Sequence, residues 1–116
     1  TNDPDMWSYL IEQTNKHPSL KVGGPSTRWV TSALKETFKL SKLQSPKIPC
    51  ITFLAEDERI VDPTRVYNRM KGWPNGILHV IHSAKHEVLM EDINTQRYVI
   101  QKIVAFFQSD ERSLST

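Results

Sequence analysis

The stretch "CITFLAEDERIVDP", residues 50–63, decides how the chain is read. Its first six residues, Cys50 to Ala55, form a nearly unbroken run of strand formers. A strand that is apolar on both sides belongs in a sheet covered on both faces, which is the signature of parallel strands. The run then turns acidic at once, with Glu56, Asp57, Glu58 and Asp62 around Arg59. Asp62 and Pro63 suit the N-cap and first position of a helix through Val66, Tyr67 and Met70, which "KGWPNG" (71–76) ends. A second strand-like run, "GILHVIH" (76–82), leads through "SAKHEVLMED" (83–92) into "INTQRYVIQKIVAFFQSD" (93–110). There Val99, Ile100, Ile103, Val104, Phe106 and Phe107 predict a helix with a wide apolar face. Strand, helix, strand, helix with apolar strands predicts an α/β fold, a parallel sheet with helices on its faces. Two strands cannot cover themselves, so further strands of a larger sheet are expected from sequence upstream of this chain.

The first third is different in character. In "DPDMWSYLIEQTNKHP" (3–18), Asp3 and Pro4 suit a helix start, Met6, Tyr9 and Leu10 share a face, and Pro18 closes the segment. In "LKVGGPSTRWVTSALKETFKLSKL" (20–43), a Gly-Gly-Pro turn and a Ser26/Thr27 cap precede a longer helix. Trp29, Val30, Ala33, Leu34 and Phe38 line one side of it, and Arg28, Lys35, Lys39 and Lys42 collect on the other. The two prolines of "QSPKIPC" (44–50) mark a linker between two subregions.

Bulk composition narrows the function classes. The 116 residues are 38% hydrophobic and 24% charged, as in a globular domain or part of one. A net charge of +2 is too mild for the concentrated basic surface of a nucleic-acid binder, so no nucleic-acid partner is expected. The one cysteine, Cys50, can form no intrachain disulfide and reads as a strand residue. A cytosolic setting is therefore expected. No apolar run approaches the roughly 18 to 20 residues that span a bilayer, and "TNDPDMWSYL" (1–10) has no signal-peptide pattern. It also carries no initiator methionine, which points to a true beginning further upstream.

In open α/β sheets, ligands gather at the carboxyl ends of the strands. "AEDERIVD" (55–62) and "HSAKHEVLMED" (82–92) fall at those two places, so an acid from one loop and a histidine from the other can meet in space. An acid and then a histidine, in this chain order, follow the nucleophile of an α/β-hydrolase. The carboxylate fixes the imidazole's tautomer while the other ring nitrogen takes a proton from a serine. Taken alone, acids after a strand are a solvated loop with one helix cap, and a lone histidine is a surface residue.

The two loops together carry a resemblance. "FLAEDERIVDP" with "HVIHSAKHEVLMED" resembles the end of α/β-hydrolases of the monoacylglycerol-lipase and lysophospholipase group. "HPSLKVGGPSTRWVTSALK" (17–35) is similar to the cap region of bacterial lysophospholipases of the L-two type. The resemblance covers almost the whole chain. It implies the C-terminal portion of an α/β-hydrolase, with its last two parallel strands, preceded by helices of the cap. Residues 1–45 would be part of the cap and 46–116 part of the core. By the same resemblance, Glu58 is the triad acid and His86 the triad histidine, with Asp57, the more usual residue type, as rival. Asp62 is left to cap a helix. No metal or organic cofactor is implied, and the substrate would be a lysophospholipid or other monoacyl lipid, with peripheral contact at the inner membrane. The departure is the nucleophile: no G-x-S-x-G occurs in this chain, nor the early oxyanion-hole loop, so the serine is expected in the missing N-terminal half and this piece alone is expected to be inactive.

Metal chemistry fits poorly. "HEVLM" (86–90) begins like a zincin helix but has Met90 where the second histidine is needed, and His79 and His82 alternate across a strand. The competing reading is a small non-catalytic α/β module that binds a partner through the basic helix of residues 26–43. It predicts a stable monomer indifferent to loss of His86.

Overall fold

A computed structural model describes residues 1–113, with side chains through Ser109. The elements run α1 (Pro4–Lys16), a 3-10 turn at Pro18–Leu20, α2 (Thr27–Ser41), β1 (Cys50–Ala55), α3 (Pro63–Lys71), β2 (Gly76–Ile81), a 3-10 turn at Val88–Met90 and α4 (Ile93–Ser113). β1 and β2 pair in parallel, in register from Cys50 opposite Gly76 to Ala55 opposite Ile81. The chain is thus α/β, with helices and a two-stranded parallel sheet.

Local chemistry sets the helix starts. Asp3 accepts from the Met6 amide, Ser26 from the Trp29 amide and Asp62 from the Thr64 amide, each satisfying a first-turn donor that the helix cannot. Asp92 does the same for α4, its carboxylate accepting from the Asn94 and Thr95 amides and the Thr95 hydroxyl.

Successive strand residues face opposite sides of the sheet. On one face Ala55, Ile81, Ala84 and Val99 form the buried core, with Phe53, Val88 and Ile103 packed against it, so α4 lies on this side. On the other face the Thr52 hydroxyl meets the Met70 sulfur at 3.2 Å, which seats α3. Gly76 is needed between α3 and β2, because a Cβ there would stand 2.9 Å from Met70 Cε and 3.0 Å from the Trp73 carbonyl. His79 is absorbed by the core side, stacked on Phe53 with ring centroids 5.4 Å apart.

The apolar face expected on α4 is wider than the sheet can cover. Val99, Ile103 and Phe106 turn inward, while Ile100, Val104 and Phe107 stay exposed. Trp29, Leu34 and Phe38 of α2 are likewise uncovered, at 63%, 65% and 57% exposure. A compact protein of 13.4 kDa exposes about 6,500 Å². This chain exposes 9339 Å², and these apolar faces are part of that surface. Arg69 of α3 ties the linker down by donating to the Leu40 and Leu43 carbonyls and the Ser45 hydroxyl, and Trp73 donates to the Ile48 carbonyl.

Candidate active site

Beyond the last strand pair, the ladder continues into the two loops. The Glu56 amide donates to the Ile81 carbonyl at 3.0 Å and the Asp57 amide to the Ala84 carbonyl at 3.1 Å. The acidic loop and the histidine loop are therefore held side by side by backbone bonds, whatever their side chains do.

On that base, Glu58 Oε2 lies 2.7 Å from His86 Nδ1. A carboxylate only accepts, so Nδ1 carries the proton and Nε2 is left as the acceptor nitrogen. Glu58 Oε1 accepts from the Ile60 amide at 2.7 Å and the Val61 amide at 3.1 Å. The side chain is only 3% exposed, against 39% for His86. Burial pushes the Glu58 carboxyl up, but the bonds from His86 and from the two amides outweigh it and hold the group below the usual carboxylate range. This is an oriented, ionised acid behind a reachable imidazole.

The other acids of the loop are occupied elsewhere. Asp57 accepts from Arg59 Nε at 2.8 Å in an exposed pair, so the rival for the acid seat does not face the histidine. Asp62 caps α3. Glu56, read from sequence as a solvated loop charge, is engaged: Oε2 accepts from the Ser83 amide at 2.9 Å and Oε1 faces His82 Nδ1 at 3.1 Å. The Ser83 amide, followed by His82, holds its carboxyl below the usual range, against a small opposing push from burial. There are thus two Glu–His pairs. The Glu56–His82 pair has an 84% exposed imidazole in water, whereas Glu58 is sealed and triply bonded, so only the latter fixes a ring.

Sequence reasoning passed over Glu91, among the described residues the one charged residue that is buried as a whole, backbone and side chain together. Its carboxylate accepts from the Lys85 amide at 2.8 Å, the Asn2 amide at 2.7 Å and the Thr1 hydroxyl at 3.2 Å. Its only outward signal was an acid placed directly before the acid that caps α4. Ser83 has φ 56, a left-handed conformation uncommon for a side-chain-bearing residue, and its carbonyl accepts from Asn2 Nδ2 at 2.7 Å. Among the described residues, no group of three or more His, Cys, Asp or Glu is arranged to hold a metal ion.

Comparison with known proteins gives a consistent set of relatives. The chain is 37% identical over 92 residues to the probable lysophospholipase L2 of Haemophilus influenzae. It is 33% identical over 99 residues to lysophospholipase L2 of Escherichia coli, in strain K12 and in an O6:H1 strain. Each match takes in 78% of this chain, and the chain spans 29% of the length of these curated relatives. No family model and no solved structure matches. The likeness to lysophospholipases expected from the cap turn and the two loops is therefore present.

Proposed function

We propose that this chain is the C-terminal portion of an α/β-hydrolase in which a serine, supplied by sequence outside the chain, attacks the acyl ester of a lysophospholipid or related monoacyl lipid. The observation that carries the reading is the Glu58–His86 pair, 2.7 Å apart, with the acid shielded and the imidazole reachable, at the carboxyl ends of adjacent parallel strands. His86 Nε2 would take the proton of the serine hydroxyl as it attacks the ester carbon, and return it to the leaving alcohol oxygen. The acyl-enzyme would then be hydrolysed by water activated at the same nitrogen. Glu58 orients the ring and stabilises the imidazolium formed in each step.

The names of the relatives support the substrate class. The uncovered apolar residues of α2, Trp29, Leu34 and Phe38, suit a cap segment lying over an acyl chain, which is the role proposed for residues 1–45. The large exposed surface supports a core completed by further strands. Peripheral contact with an anionic inner-membrane surface belongs to the same proposal. Its basic side is partly engaged already, with Lys39 paired to Glu36 at 3.2 Å and Lys42 over the Phe38 ring at 4.1 Å.

The test is lysophospholipid hydrolysis by the longer protein carrying this chain and by its His86→Ala variant. Hydrolysis lost by at least about a thousandfold on removing His86 is expected, since a triad member is being deleted. Full activity in the variant would overturn the reading and favour the non-catalytic module.

A further inference from the structure

We propose that Glu91 is a positioning residue for His86, an inference that rests on the hydrolase reading. The peptide unit between Ala84 and Lys85, one residue ahead of the unit that enters His86, is clamped from both sides. Its carbonyl accepts from the Asp57 amide at 3.1 Å and its N–H donates to Glu91 Oε1 at 2.8 Å. In a trans peptide these groups point in opposite directions, so the unit bridges the acidic loop to Glu91 and its plane has no freedom to rotate. The backbone one residue before His86 is thus aligned with the loop that carries Glu58.

A buried carboxylate is costly unless both oxygens are bonded, and here they are. Glu91 is 3% exposed, and Oε2 takes the Asn2 amide at 2.7 Å and the Thr1 hydroxyl at 3.2 Å. Asn2 also donates through Nδ2 to the Ser83 carbonyl at 2.7 Å. One rigid carboxylate therefore joins the segment leading into α1 to the histidine loop, so that a shift of that segment is felt at His86. Gln96 Nε2 donates to the Glu91 carbonyl at 2.7 Å and fixes the anchor to α4. The acceptor-only carboxylate suits this seat better than an amide, because glutamine would turn an NH2 group toward one of the two backbone N–H donors.

The experiment is Glu91→Gln in the complete enzyme. A loosened histidine loop predicts a kcat lower by about 10- to 100-fold with KM within about threefold, since sub-ångström misplacement of a catalytic group acts on the chemical step. The low-field Nδ1 proton resonance of His86 is expected to broaden or shift while Glu58 is intact. Unchanged kcat with an unchanged resonance would overturn the proposal, as would a loss confined to KM. Should the variant not fold, hydrogen exchange of the native protein decides. The Lys85 amide lies in no helix or strand, so strong protection there reports the Glu91 bond, and exchange at the rate of an open chain overturns it. A native protein that hydrolyses no lysophospholipid would end the hydrolase reading instead, and the resonance and exchange results would still judge the anchor.

Discussion

Glu58 and His86, 28 residues apart in sequence, meet at 2.7 Å, and the oxygen of Glu58 that does not touch the ring is itself held by two backbone amides. Both oxygens are thereby committed, and the imidazole is presented in one tautomer. Substituting Glu58 by Gln keeps the volume but offers the ring an NH2 group and favours the wrong tautomer. In the complete enzyme kcat is expected to fall by about four orders of magnitude, as for a neutralised triad acid. Asp57→Asn, which breaks only an exposed pair with Arg59, is expected to stay within a few fold of the native rate. Steady-state kinetics on the two variants separates the neighbours.

Acid should weaken the fold through its bonded carboxylates. Glu58, Glu56 and Asp92 are all held below their ordinary values. For a lowered carboxyl, the stabilisation is fully present above the unfolded value and disappears as pH falls through the folded one, because the unfolded chain binds the proton first. Denaturant midpoints should therefore drop as pH falls below about 4.5, the ordinary Glu value. The Glu58→Gln variant should show a shallower drop. An identical pH dependence in native protein and variant would contradict the assignment.

Asp62 has a different task from its neighbours. Removing its cap bond to the Thr64 amide in Asp62→Ala is expected to cost about 1 kcal/mol of stability. Hydrolysis per folded molecule should be little changed. Thermal unfolding alongside kinetics checks both halves.

Two backbone positions are sensitive for steric reasons. Gly76→Ala places a methyl against the Trp73 carbonyl and Met70, with an expected loss of about 1–3 kcal/mol. Ser83→Val puts a β-branched side chain at φ 56 and is expected to destabilise, whereas Ser83→Gly is tolerated. Chemical denaturation of the three variants gives the comparison.

What could be read from the sequence was local or periodic. The caps at Asp3, Ser26 and Asp62, the apolar strands and their parallel pairing follow from residue types at fixed offsets, and all are present. The meeting of the acidic and histidine loops was legible because parallel strands place both carboxyl ends together. The roles of Glu56 and Glu91 were not, since each depends on a backbone amide in a loop whose path no periodicity encodes. The apolar stripe of α4 announced more burial than Ile100, Val104 and Phe107 find, because hydrophobic pattern reports what a face can cover and not which partner lies over it.

The central claim is that Glu58 and His86 serve a serine, and labelling of the complete protein by a fluorophosphonate tests it most directly. Rapid labelling at a single serine framed as G-x-S-x-G, slowed by about a thousandfold or more in His86→Ala and strongly in Glu58→Gln, is the predicted result. A protein that takes up no label, or that labels as fast without His86 as with it, would contradict the account.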